Sequence, residues 1–216
     1  APICTEPTHC AAFYSYDALI KKEGKAWVEK YYKKISKCVD DTKGEIIVYQ
    51  QQPILAVFHS ASAGGNTQSG YDVWGNAVAY LQSVKTEGEQ QKNDYFTTLS
   101  ITCQDFVGKI KAEFPNADFS ADNNEWIGDI VKTKANYVKT INIGGVDIDG
   151  AKIRSMFNLK STYFDVKTDG EKIVFTVAGY GHGVGMSQYG ANYMAKRGVN
   201  YKAILEKYYQ GAQVIK

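Results

Sequence analysis

The chain holds three histidines, His9, His59 and His182, and each lies inside a locally unusual string. GYGHGVGMSQYGA, from Gly179 to Ala191, sets five glycines around His182 between a strand-like run and a helix-like one. Glycines let the backbone approach a ligand closely, and a helix start presents free N–H donors. His182 there suits a general acid, a general base or a donor to substrate. Ser187, Gln188 and Tyr189 fall in the first helical turn, where polar side chains can face the same pocket. The plainer alternative is a tight strand-to-helix turn whose histidine is only hydrogen-bonded. No Lys-Ser/Thr follows the glycines and no Gly-x-Ser-x-Gly is formed, so the string is neither a phosphate loop nor a nucleophile elbow.

HSASAGGNT, from His59 to Thr67, places a histidine, two hydroxyls and a glycine pair at a strand end. Ser60, Ser62, Gly64, Gly65 and Thr67 read as a groove wall that aims hydroxyls at sugar or peptide. A solvated loop is the bland alternative. A Ser60 or Ser62 nucleophile with His182 as base is conceivable, but no aspartate stands in a triad context. CTEPTHC offers Cys4, His9 and Cys10 within seven residues, a soft donor set that suits Zn²⁺ with a fourth ligand from elsewhere. A Cys4–Cys10 disulfide and two free thiols remain open beside it. Cys38 and Cys103 read as small buried hydrophobes on helix faces. The acids look poor for glycosidase chemistry. Asp40–Asp41 and Asp147/Asp149 flank turns, Asp72 could reach a groove, and none sits in the apolar stretch that would raise its pKa.

Elements must position these strings. Val28, Tyr31, Tyr32 and Ile35 recur at helical spacing opposite Lys30, Lys33, Lys34 and Lys37, which predicts an amphipathic helix over 27–38. GEIIVYQQQPILAVFHS predicts a hairpin turning at Gln-Gln-Pro. VWGNAVAYLQSV reads as a loop entering a short strand, and KTEGEQQKND as a solvated connection. Thr102 with Asp105 predicts a capping box for a helix that Pro115 ends. Residues 125–149 alternate as two or three strands with a turn at Gly144–Gly145, and Asp169–Gly170 turns a second hairpin. Asn200 caps a last helix. Strands and helices mix without a βαβ period, so the expected fold is α+β: mostly antiparallel sheets, several short helices, and two subdomains around a groove.

Composition narrows the classes. The 216 residues are 44% hydrophobic and 22% charged, which excludes disorder, collagen and coiled coil. A net charge of +2 argues for no polyanion, hence for no nucleic-acid partner. The longest apolar run, Pro53 to Phe58, is far below the roughly 18 residues of a membrane span. The first ten residues lack the basic start and apolar stretch of a signal peptide. Sixteen tyrosines suit a surface that meets flat polar ligands such as sugars.

In their words and their order these strings resemble the stage II sporulation protein D family, to which the amidase-enhancer proteins of cell-wall turnover are related. The likeness runs through GEIIVYQQQPILAVFHSASAGGNT, VWG at 73–75, YL at 80–81, IRSMFNLKSTYF, GHGVGMSQYGANYMAKRG and YKAILEKYYQGAQV, nearly the whole chain taken as a single domain, 1–216. The resemblance implies a peptidoglycan lytic transglycosylase of forespore engulfment. Such an enzyme cuts between N-acetylmuramic acid and N-acetylglucosamine and leaves an anhydro sugar. The implied setting is extracytoplasmic, anchored by an N-terminal membrane helix at the septal or engulfing membrane. The implied partners are glycan strands, an amidase–endopeptidase and a membrane protein of the engulfment machine; the oligomeric state is unknown. The family's catalytic Glu belongs to a segment with no counterpart here and is expected upstream of Ala1, so catalysis by these residues alone is not expected. The alternative is a non-catalytic module, of the amidase-enhancer type, that binds wall or amidase. The groove carries over: Ser62 to Thr67, His182, Ser187, Gln188 and Tyr189.

Overall fold

A computed structural model of the chain describes residues 13–216. Contacts divide the chain into residues 1–46 with Lys216, and residues 47–215. In the first unit, α1 (Tyr16–Glu23) and α2 (Lys25–Asp41) meet at Gly24, whose φ of 86° ends one helix and opens the next. The Ser15 hydroxyl caps α1 by accepting from the Ala18 amide. Tyr16 packs edge-on against Tyr32, with ring centroids 5.0 Å apart. The predicted helix is therefore present and longer. Its Cys38 is exposed rather than buried, because it lies beside Lys37 and Val39 on an open face.

The second unit carries the remaining elements. β1 (Ile46–Tyr49) turns through Gln50 and Gln51, at φ 49° and 63°, into β2 (Gln52–Pro53). This is the expected hairpin, cut short because the chain leaves the ladder after the Ile54 amide bonds the Ile47 carbonyl. β3 (Phe58–His59) leads into the serine loop, and α3 (Gly70–Trp74) is a short helix capped by Ser69. β4 (Phe96–Thr102) passes directly into α4 (Cys103–Glu113). Thr102 accepts from the Asp105 amide as expected, and the Asp105 carboxylate takes the Thr102 hydroxyl. β5 (Ile127–Lys132), β6 (Val138–Ile143) and β7 (Val146–Asp149) form one antiparallel meander, followed by α5 (Gly150–Met156). β8 (Phe164–Asp169) and β9 (Lys172–Ala178) form the second hairpin, with β9 central in a sheet of order β4-β9-β8. β10 (Met186–Ser187) pairs parallel with β3, whereas the β1–β2, β4–β9–β8 and β5–β6–β7 pairings are antiparallel. α6 (Gln188–Lys196), α7 (Tyr201–Tyr208) and β11 (Gln213–Ile215) close the chain, β11 lying next to β1. Four mostly antiparallel sheets with seven helices, among the described residues, make the fold α+β as expected.

Burial follows the alternation of the strands. Phe106 and Ile110 of α4 and Ile153 of α5 pack with Ile141, Phe164 and Phe175 in the largest core. A second core gathers Leu81, Val84, Val184, Ile204 and Tyr208, and a third Ala61, Ala63, Tyr95 and Tyr137. Two readings need correction. Residues 70–84 contain a capped helical turn and no strand, since Ser69 offers its hydroxyl to the Asp72 amide. Residues 85–94 are not merely solvated, because Thr86, Glu89 and Lys92 are buried there.

Candidate functional site

The glycine-rich string lies against the serine loop. β10 lies beside β3 in the register Met186↔Phe58 and Ser187↔His59, and Ala61 bridges Tyr180. The closeness explains the glycines. A Cβ on Gly185 would overlap the Val57 carbonyl oxygen, and one on Gly181 would stand 2.7 Å from the His59 Cβ. What the glycines let approach is the chain's own 57–62 backbone.

A buried polar network fills the seam. His59 Nδ1 lies 3.1 Å from the Val184 carbonyl oxygen, which can only accept, so Nδ1 carries the proton. The Ser62 hydroxyl then donates to His59 Nε2 at 2.7 Å. Ser62 thus pairs with His59 and not with His182. With Ser62 fully buried, the pair fastens the loop and presents no nucleophile. The Ser62 amide donates to Glu89 Oε2 at 3.1 Å and the Ser187 hydroxyl to the same oxygen at 2.7 Å. The Thr86 hydroxyl donates to Glu89 Oε1 at 2.6 Å and accepts from Tyr208 at 2.7 Å. Glu89 is 4% exposed. Burial raises its pKa, against the pull of the Ser187, Thr86 and Ser62 donors. Burial likewise lowers the His59 pKa to about 4, opposed by the Val184 carbonyl and helped by nearby His182, so the ring is neutral at pH 7.

His182 stands at the edge of this wall. Its Nδ1 accepts from the Val184 amide at 3.1 Å, and its ring centroid lies 5.4 Å from that of Trp74 and 5.7 Å from that of His59. Burial lowers its pKa, and Arg154 adds to the effect against a hydrogen bond with the Phe58 backbone. His182 lines a cleft of about 340 Å³ with Gln68, Asp72, Thr133, Asp149 and Arg154. Gln68 is buried and donates to the His182 carbonyl at 2.9 Å. Tyr71 and Trp74 are exposed beside it, Trp74 by 44%. Such a mixture of amide, carboxylate, guanidinium and aromatic groups can hold a sugar.

The predicted residues divide between surfaces. His182 lines the cleft with Asp72. Ser62, Thr67 and Ser187 lie inside the wall, Thr67 accepting from the Val84 amide at 2.9 Å. Ser60 gives its carbonyl to the Tyr189 amide at 3.1 Å. Gly64 abuts the Tyr163 ring, and Gly65 lines a separate depression of about 510 Å³ with Thr86, Tyr95 and Tyr193. Gln188 is exposed at the start of α6. Cys4, His9 and Cys10 lie outside the described residues. So does Ala1, upstream of which the family's Glu is expected, and the structure therefore does not bear on that expectation. Among the described residues, no three His, Cys, Asp or Glu side chains gather to hold a metal. Sequence reasoning missed Glu89 and Arg154. Glu89 sits in a string of charges and glutamines that carries no burial signal. Arg154 sits in IRSMFNLKSTYF, a string that carries the family likeness but points to no role in the groove.

The chain is 36% identical to stage II sporulation protein D of Bacillus subtilis (strain 168) over 210 residues, 97% of this chain and 59% of that protein. With stage II sporulation protein D of Bacillus amyloliquefaciens the identity is 34% over the same shares. The chain belongs to the stage II sporulation protein D family. It spans 59% of the length of these relatives. An amidase enhancer of Bacillus subtilis (strain 168) is 31% identical over 82% of this chain and 32% of its own length. No protein-family model matches the chain. The match to the stage II sporulation D proteins takes in almost all of both units, so the wall and the cleft lie in a segment that the family shares at its full extent here. No helix among the described residues of this family member is long and apolar enough to cross a membrane.

Proposed function

We propose that this protein binds the glycan strands of peptidoglycan in the cleft beside His182 and takes part in their lytic cleavage during sporulation. One observation carries the reading: in a member of the stage II sporulation D family, His182, Gln68, Asp72 and Arg154 line one cleft next to the exposed rings of Tyr71 and Trp74. Sugars are held by such pairings of flat apolar faces with directed polar groups. The reaction breaks the bond between muramic C1 and the glycosidic oxygen. A carboxylic acid protonates the departing oxygen, and the muramic 6-hydroxyl attacks C1 and passes its proton to the carboxylate so formed, closing the anhydro ring and restoring the acid.

Within the described residues Glu89 lies at the depression beside Gly65 and Tyr95, only 4% exposed, with its oxygens taken by the Ser62 amide and the Ser187 and Thr86 hydroxyls. We assign the acid to the Glu of the family's segment upstream of Ala1, which these 216 residues do not contain. His182, half-buried and neutral, positions the strand. The setting we infer is extracytoplasmic and membrane-anchored, alongside an amidase–endopeptidase and a membrane protein of engulfment. The test is product analysis on stem-free glycan strands. The 216-residue chain should bind them and release nothing, while a chain extended by the family's upstream segment should release anhydromuramic ends. Anhydro products from the 216 residues alone overturn the assignment and direct mutation to Asp72. The likeness to an amidase enhancer favours a second reading, a module that binds wall or amidase without chemistry. Strand binding without products even in the extended chain would support it.

A further inference from the structure

Arg154 lies half-buried on α5 and lines the same cleft as His182. One of its five N–H donors is spent, Nε donating to the Leu159 carbonyl at 3.3 Å. No carboxylate of the described residues comes within the 4.0 Å of an ion pair with it. Asp72 and Asp149 share the cleft, but Asp72 takes the Ser69 hydroxyl at 2.7 Å. Arg154 and His182 line this cleft together, and the guanidinium adds to the lowering of the His182 pKa, so the two stand near each other. A half-buried guanidinium without an anion is costly, and its planar fork fits a carboxylate in two-point contact.

We propose that Arg154 binds a carboxylate carried by the muramic sugar of the strand and thereby sets which bond faces His182. The inference rests on the glycan reading above. Of the two alternating sugars only the muramic one carries an acidic substituent, a lactyl ether whose carboxyl is free when no peptide is attached. When a stem peptide is attached that carboxyl is an amide, and the nearest carboxylates belong to the peptide. One fork in the cleft therefore distinguishes the two sugars and fixes the register to one disaccharide in every repeat. A shift by a single sugar would leave Arg154 facing the neutral sugar.

The experiment measures binding of the 216-residue protein to one preparation of glycan strands in three forms: stem-free, stem-free with the lactyl carboxyls converted to methyl amides, and stem-bearing. Converting the carboxyls should weaken wild-type binding about tenfold, the loss expected for a charge-assisted contact. Arg154→Gln should bind the carboxylate and methyl-amide forms equally, at the weaker level. Arg154→Lys keeps the charge without the fork and should recover part of the preference; its fold is checked by circular dichroism because Nε also holds the Leu159 carbonyl. Stem-bearing strands that bind as tightly as stem-free ones, and lose that tightness in Arg154→Gln, place the carboxylate on the peptide. Stem-bearing strands as weak as the methyl amides place it on the lactyl group. Equal wild-type binding of stem-free and methyl-amide strands, with no Arg154 effect on any form, overturns the role of Arg154 and leaves the glycan reading standing. Binding of none of the three overturns both.

Discussion

His59 should make the protein lose stability in mild acid. Its ring is enclosed between the Val184 carbonyl and the Ser62 hydroxyl, and burial holds its pKa at about 4 against an ordinary 6.5. Because the folded value is depressed, the contribution is fully present above pH 6.5 and disappears as pH falls through about 4. Over that window the unfolded chain takes up a proton that the folded chain refuses. The gap amounts to about 3 kcal/mol, accumulating at no more than about 1.4 kcal/mol per pH unit. His182, also lowered, adds in the same direction. Glu89 runs the other way: its pKa is raised, so acidification relieves the cost of keeping it charged and offsets part of the loss.

His59→Gln isolates the histidine. The glutamine carbonyl can accept the Ser62 hydroxyl in place of Nε2, and the variant has no group that titrates in the window. Guanidinium unfolding at steps from pH 7.5 to 4 should show wild type losing about 3 kcal/mol more than the variant, although the variant starts lower at neutral pH. In nitrogen-detected NMR the folded His59 ring should stay neutral, with its proton on Nδ1, down to below pH 5. Parallel stability curves for the two proteins, or a His59 titration near 6.5 in the folded state, would refute the reasoning.

Glu89→Ala should cost about 4 kcal/mol, since the Ser62 amide and the Ser187 and Thr86 hydroxyls lose their acceptor together. Glu89→Gln should cost about 1 kcal/mol, because Thr86 can turn its proton to Tyr208 and accept from the new amide; urea midpoints compare the two. Gly185→Ala should be among the most damaging single changes, at about 3 kcal/mol or more, because its φ is 70° and the added carbon strikes the Val57 carbonyl oxygen. Gly170→Ala, at φ 60° but in open space, should cost about 1 kcal/mol, and thermal melts separate the two mechanisms. One Zn²⁺ per chain should be found by elemental analysis and lost in Cys4→Ser, whereas a Cys4–Cys10 disulfide without metal would refute a zinc site.

The periodic segments were legible. Thr102, Asn200 and the turns at Gly144–Gly145 and Asp169–Gly170 carry local capping and turn chemistry, and each ends or starts an element where that chemistry demands. The segment from 70 to 94 was not. Ser69 caps a helix of five residues, too short for its period to register, and Glu89 is buried by partners 27 and 98 positions away in the chain. A carboxylate among Lys85, Glu87 and Lys92 reads as solvent-facing unless its distant donors are known. The site was legible in part. His182 was singled out and does line a cleft, but its aromatic neighbour Trp74 and its charged neighbour Arg154 come from helices whose positions only the tertiary fold sets.

Residues of catalytic type here serve mainly to build the wall behind the cleft, and that has a physical logic. Two backbone segments cross at Val57–Ser62 and Gly181–Ser187 too closely for side chains, so glycines occupy the contact. The polar groups that such a crossing leaves buried need partners, and short hydroxyls with one histidine and one carboxylate supply them without bulk. Each member is held by a residue of another segment: His59 by the Val184 carbonyl, Ser187 and Ser62 by Glu89, Thr86 by Tyr208. Linked in this way, the network resists movement of any one segment. His182 inherits that rigidity, because its Nδ1 and its carbonyl are fixed to the Val184 amide and the Gln68 side chain. With its backbone fixed and one ring nitrogen engaged, His182 is held in place, and the strand must be brought to it. That task falls to the groups left with unspent donors or open faces, Arg154, Tyr71 and Trp74.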